Sequence, residues 1–420
     1  MTDLENWFAD VGAKLTGWLG SPEVLRVVTK GLRRCAPTIV LHGRAFVTLR
    51  QDVLEVLSND RDFGVTEVYD AKMRRTSGAF VLGMENTPQY RREAAFIRAA
   101  VHAEDMSAIR ASVGAHADEL VTRAQPQGKI DAVEGFSHLI PLRLLRDYFG
   151  TPGPDWATLA RWMRSIFWEI FLNFTDDVEV AQEAERSSAE LRSYLENLVA
   201  QRKRELSEGQ LKTDDFVSRL VKQQQLAGAR FEDGTPIDDA TLVRNIGGVI
   251  VGAVDTQSKA ITHALEQLIE HPGALRAAQQ AALDGDRELV AAYVWEALRF
   301  NPHNPILIRF CRNGAVIGAG TEREVVIPSG TTVFVSTLSA MFDESVLDEP
   351  EVFRPGRPRE HYLHFGHGQH RCFGEHINRV VLPEVIQRVL VLRKLRVQPG
   401  EHVEYVGPFP KRFALEFDPS

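Results

Sequence analysis

Residues 361–374, HYLHFGHGQHRCFG, constrain the chain more than any other stretch, because packing alone does not explain their composition. Cys372 sits among Gly366, Gly368 and Gly374. Glycine removes side chains and permits left-handed turns, so this backbone can pass close to a large flat group and present sulfur to a metal. The residues that follow, FGEHINRVVLPEVIQRVLVL, carry helical apolar spacing. Cys372 therefore lies at a helix N-terminus, where unpaired amides and the helix dipole favour the thiolate, the form that binds a metal. Plainer readings compete with this one. A free cysteine is most often a small buried hydrophobe, which is the reading for Cys35 and Cys311. His361, His364, His367 and His370 are three apart, and would share a metal only on a helix that the glycines oppose.

The rest of the composition limits where such a site can reside. With 44% hydrophobic and 25% charged residues, the 420-residue chain reads as a soluble globular protein. Its net charge of -8 provides no basic field for nucleic acid. The first twenty residues carry acids at Asp3 and Glu5 and no basic start, so they read as neither signal peptide nor anchor. No uncharged apolar run approaches the ~20 residues that cross a bilayer, so no membrane partner is expected. Three scattered cysteines form no disulfide framework and fit a reducing, cytoplasmic compartment. No linker divides the sequence, so residues 1–420 are expected to form a single domain.

Along the chain, TIVLHGRAFVTL reads as two short strands around His42 and Gly43, followed by a helix. Periodicity fails between residues 64 and 83 while Val65, Val68, Tyr69, Met73, Phe80 and Val81 stay apolar, which predicts a long apolar loop of the kind that lines ligand sites. Two helices broken near His102 come next, then a helix carrying Pro141. The helix after that is crowded with Trp156, Trp162, Phe167, Trp168, Phe171 and Phe174. Asp238 caps a run that continues to Glu270, a helix of about 50 Å. Gly247, Gly248 and Gly252 weaken it unless something large packs there, and the Thr256 hydroxyl can take the Gly252 carbonyl. RELVAAYVWEALRF puts Glu296 and Arg299 on one face beside Trp295, Leu298 and Phe300. A strand meander with turns at Asn313-Gly314 and Pro328-Ser329-Gly330 follows, and a last hairpin carries Phe409 at its tip.

The spacing of Phe365, Gly368, Cys372 and Gly374, with His370 between them, resembles the haem-binding loop of the cytochrome P-450 family of haem-thiolate monooxygenases. The resemblance implies a mainly α fold with a smaller β portion, holding haem b (iron protoporphyrin IX) between a long central helix and the Cys loop. It implies Cys372 as the axial iron ligand, Phe365 near the sulfur, Gly374 closing the loop, and His370 and Arg309 at the haem propionates. Asp255 and Thr256 match the family's acid-Thr pair. Gly252 and Ala253 precede them, with Ala253 replacing a usual glycine and narrowing the groove. Glu296 and Arg299 would close a triad with Arg357, which follows Phe353 and Pro355 in the expected pattern. The family's propionate histidine is missing from MENTPQYRRE; Tyr90 is the best substitute, with Arg91 and Arg92 as rivals. Met341 and Phe342 depart from the usual run.

The activity implied is insertion of one atom of O2 into a C-H or C=C bond of a hydrophobic small molecule, the other atom leaving as water. Ile306, Leu307 and Ile308 are placed to line its pocket. A ferredoxin or flavodoxin with its reductase would supply electrons, since three cysteines are too few for a cluster and no dinucleotide fingerprint follows a strand. A peroxide-driven peroxygenase and a non-catalytic haem sensor or carrier are the rival readings.

Overall fold

Two helices laid end to end, Asp239–Val251 and Val254–Glu270, form the axis of the structure, a computed structural model that describes residues 22–419. The N-terminal stretch considered above for signal and anchor features lies outside the described residues. Asp238 caps the first helix, accepting from the Thr241 amide at 2.8 Å. The sequence predicts one uninterrupted helix here; instead the ladder breaks at Gly252 and Ala253. The Thr256 hydroxyl donates to the Gly252 carbonyl at 2.6 Å and reaches the Ala253 carbonyl at 3.3 Å. It competes there for acceptors the ladder would use, in a glycine-rich turn that has little propensity to resist.

Helices Trp156–Phe171, Arg287–Phe300 and Glu375–Leu390 pack around the second half of the axis, and Val178–Ser207 packs on the first. Ile246, Ile250, Ile261 and Leu265 meet Val290, Val294, Val381 and Val385 in the main core. Each such side chain contributes roughly 1.5–3 kcal/mol on burial. The Pro141 helix is present as a short α-turn, Leu139–Leu144, between two wider π-turns. No helix of the described residues is long and apolar enough to cross a membrane.

The β portion stands to one side. Thr38–Leu41 and Arg44–Val47 pair antiparallel through His42 and Gly43, whose φ values of +48° and +72° make the turn. Arg44–Val47 runs parallel to Thr331–Val335, which pairs antiparallel with Leu307–Cys311, and Phe63–Gly64 closes the five-stranded sheet. Val47, Val53, Phe63, Val333 and Val335 build a second core beneath it. The expected meander is completed by Ala315–Ile317 against Val325–Ile327, and the last hairpin pairs Glu404–Val406 with Phe409–Arg412.

Two expectations are corrected. Residues 64–83 are not an extended loop: Thr66–Arg75 is a helix and Val81–Gly83 a 3-10 turn. Val65, Tyr69 and Met73 are four apart, a helical stripe too short to stand out beside the apolar residues around it. Cys35 is exposed at the end of its helix, whereas Cys311 is fully buried in a strand. The last turn of an amphipathic surface helix simply offers nothing to cover a side chain on its outer face.

Candidate active site

The Cys372 loop is closed by its own backbone. The Cys372 amide donates to the Phe365 carbonyl at 2.9 Å, across Gly366 and Gly368 at φ +70° and +71°. A Cβ on Gly368 would stand 2.2 Å from the Leu57 carbonyl oxygen, so only glycine fits. Gly374 leads into Glu375–Leu390, and a Cβ there would lie 3.1 Å from Asn378 Nδ2 and 3.9 Å from the Cys372 sulfur. Cys372 is solvent-accessible, yet the surrounding protein pushes its thiol up to about 11, the Gly374 amide pulling the other way. Burial therefore works against the thiolate and the helix-terminal amide works for it, and a metal cation at the sulfur would favour the anion further.

Around the sulfur, Phe365 lies 5.9 Å from Trp295 in an edge-on pair and 5.3 Å under the Arg379 guanidinium. His370 meets the Tyr90 ring edge-on at 5.9 Å. The Tyr90 hydroxyl donates to the Gln369 carbonyl at 2.8 Å, clamping the loop to helix Pro88–Arg98. Arg91 and Arg92 turn elsewhere, to Asn86 and to Asp233. Arg309 is only 5% exposed, yet its recorded acceptor is the Ile308 carbonyl and no carboxylate pairs with it among the described residues. Burial lowers its pKa, while Tyr69, Glu85 and Asp60 raise it. The same burial, together with the Arg309 charge, pushes His370 down to about 4.

A buried cation with no anion, beside an accessible thiol and an imidazole, fits a haem. The sulfur is a soft ligand for iron, and the guanidinium recognises carboxylates. The loop histidines do not form a site of their own. His364 bonds the Trp295 carbonyl at 2.9 Å, and no three His, Cys, Asp or Glu side chains gather to hold a metal among the described residues.

Beneath the loop, Glu296 and Arg299 are wholly buried and bonded twice, at 2.7 and 3.0 Å. Arg357 joins them at 3.3 Å from Glu296 and fixes the Asp348, Glu349 and Val352 carbonyls. Tyr362 ties the loop to this triad, its hydroxyl donating to Glu296 at 3.1 Å. The two residues that depart from the family run serve the same anchor. Phe342 lies 4.3 Å from the Arg299 guanidinium, and the Met341 sulfur accepts from the Leu363 amide at 3.2 Å.

Across the axis helix, Gly252, Ala253 and Thr256 stay at least partly exposed at the break, while Asp255 is 1% exposed. Arg164 pairs with Asp255 Oδ1 at 2.6 Å. The large group that the glycines call for is Phe80, whose ring a Cβ on Gly248 would meet at 2.2 Å. The structure thus gathers Cys372, Phe365, Gly374, His370, Arg309 and Tyr90 in one cluster and Gly252, Ala253, Asp255 and Thr256 in another, joined by the packing of Val254–Glu270 on Glu375–Leu390.

The model of the cytochrome P450 family matches residues 42–415. The chain belongs to the cytochrome P450 family. As a P450 it is a haem-dependent oxidoreductase of the monooxygenase class. It is similar to the cyclomarin C epoxidase CymV of Salinispora arenicola, with 27% identity over 70% of this chain and 69% of that one. It is also similar to the monooxygenase PikC of Streptomyces venezuelae, with 29% identity over 68% and 62%. The crystal structure of CalO2 superposes with a TM-score of 0.80, covering 93% of this P450 and 95% of that chain at 20% identity, which shows the fold.

Several residues that shape this P450's site were not singled out in the sequence. Arg164 had one signal, a charge inside an unusually aromatic helix. Tyr362 had none, since a tyrosine in a polar loop is ordinary.

Proposed function

We propose that this P450 inserts one atom of O2 into a hydrophobic small molecule, by hydroxylation or epoxidation, with haem b held by Cys372 and its propionates met by Arg309 and His370. The observation that carries the reading is the buried Arg309 guanidinium, paired with no carboxylate among the described residues and close enough to act on His370, two residues before Cys372. When bound, a thiolate-ligated haem supplies the O2 activation. Phe365 and Gly374 shape the sulfur's surroundings, and Tyr90 holds the loop in place. Gly252 and Ala253 leave room at the helix break for a small ligand.

The chain's own part in the reaction is proton handling. Asp255 Oδ1 is fixed by Arg164, so Oδ2, buried and without a partner, is the atom that takes and releases a proton. The Thr256 hydroxyl, held on the Gly252 carbonyl, passes it toward the pocket. Tyr69, Phe167 and Phe171 pack together on helices Thr66–Arg75 and Trp156–Phe171, edge-on at 5.4 Å for Tyr69 and Phe171 and tilted at 4.6 Å for Phe167 and Phe171. They support an apolar substrate wall together with Ile306, Leu307 and Ile308. One relative's name specifies epoxidation, which supports that outcome, and another's specifies monooxygenation, which fits either. We read the enzyme as one cytoplasmic catalytic domain that receives electrons from a ferredoxin or flavodoxin and its reductase.

The test is the ratio of product to NADPH in a reconstituted system. Thr256→Ala should consume NADPH while releasing mainly hydrogen peroxide, and Asp255→Asn should slow turnover as a whole. A normal rate with an unchanged ratio in both variants rejects the relay. Product formed with hydrogen peroxide as efficiently as with NADPH and O2 favours a peroxygenase, and no product from either favours a sensor or carrier.

A further inference from the structure

We propose that His138 is a positioning residue through which Asp255 is reprotonated from solvent, so that the segment ahead of helix Leu139–Leu144 is the proton inlet of the site. The proposal rests on the reading of Asp255 given above. Asp255 Oδ1 accepts from Arg164 Nε and Nη2, at 2.7 and 2.6 Å, and Oδ2 is left without a partner among the described residues. His138 Nε2 lies 3.9 Å from Oδ1 and is likewise buried with no partner among the described residues. An unsatisfied buried polar atom is costly, so packing gives no reason to bury two side by side. One water, or a small swing of the carboxylate, closes the gap.

The neighbourhood fixes that geometry and opens it outward. The Ser137 hydroxyl bonds both the Ser258 and Thr262 hydroxyls at 3.0 Å, pinning the His138 backbone to the axis helix one turn beyond Asp255. Glu134, four residues before His138, is exposed, His138 is partly buried, and Asp255 is buried. Two carboxylates and an imidazole thus lead from surface to interior. The charges acting on His138 are Asp255 and Arg164 from the two facing helices and Glu134 from its own segment. Burial lowers its pKa first, Asp255 raises it and Arg164 lowers it. In the step proposed, protonated His138 gives its Nε2 proton through water to Asp255 Oδ2, and the ring takes a replacement from solvent beside Glu134. No electron moves.

The coupling can be read without turnover. In the full-length, haem-loaded protein in its diamagnetic ferrous carbon monoxide form, the His138 ring is followed by NMR across pH in wild type and Asp255→Asn, its signal assigned by loss in His138→Gln. Removing the facing negative charge should lower the His138 midpoint; an unmoved midpoint overturns the proposal. His138→Gln should keep wild-type melting and haem content, lose about a hundredfold in turnover, and lose the pH step that wild type shows where His138 titrates. A wild-type rate and pH profile in that variant also overturns it. Failure of the monooxygenase reading itself shows separately, as absence of NADPH-dependent product in the wild type.

Discussion

Arg164 grips Asp255 through one carboxylate oxygen, its Nε and Nη2 lying 2.7 and 2.6 Å from Oδ1. The pair joins helix Trp156–Phe171 to the axis helix immediately after the break, so it bears on stability as well as on proton handling. Arg164→Ala leaves a buried carboxylate without its counter-ion and is expected to cost ~3–5 kcal/mol. Asp255→Asn removes the charge and should cost less, and combining the two should recover part of the Arg164→Ala loss. Urea unfolding of the four proteins checks this; equal midpoints for wild type and Arg164→Ala would show that the pair contributes nothing.

Glu296 accepts from Arg299, Arg357, Tyr362 and the Arg354 amide in a fully buried setting. Glu296→Ala strands two buried guanidinium groups and frees the Cys372 loop from its floor. The expected loss is ~3–5 kcal/mol, with little haem incorporated. The ratio of haem absorbance to protein absorbance after purification, together with a thermal melt, measures both, and normal values would contradict the structural role.

Glu266 is half-buried close to Glu270, and burial first, then that second carboxylate, pushes its pKa up to about 7. Its acceptor oxygen takes the Asn301 amide at 2.9 Å. The folded state therefore holds the proton more tightly than the unfolded chain, whose Glu titrates near 4.3. Stability on this account is greatest below about pH 4 and falls as pH rises through 7. Glu266→Gln mimics the protonated form, so it should stabilise by up to about 3–4 kcal/mol at pH 8, less where solvent screens the half-buried carboxylate, and by almost nothing at pH 4. Unfolding at the two pH values checks the sign, and an equal effect at both would refute the raised pKa.

The loop and the triad were legible because each depends on residue types with few substitutes. Gly368 has no room for a side chain, and Glu296, Arg299 and Arg357 satisfy one another only in a fixed arrangement. The strands around His42 and the meander after Leu307 were legible from turn chemistry. The helix break was half legible. The Thr256 bond to Gly252 follows from a four-residue spacing, but whether it bends or divides a helix depends on packing from outside, here by Phe80 on Gly248. Arg164, His138 and Tyr362 act through partners more than sixty residues away, and no local pattern marks such pairings. The surroundings of Cys372 were half legible for a related reason: the helix-terminal amide that favours the thiolate is local and readable, whereas the burial that opposes it comes from the whole fold.

The most direct measurement is the difference spectrum of the dithionite-reduced protein with and without carbon monoxide. A thiolate-ligated haem gives a strongly red-shifted Soret band, expected for the wild type and lost in Cys372→Ser while Cys311→Ser retains it. A wild-type band at the position of histidine-ligated haem, or a band unchanged by Cys372→Ser, would contradict ligation by Cys372 and with it the assignment of the site.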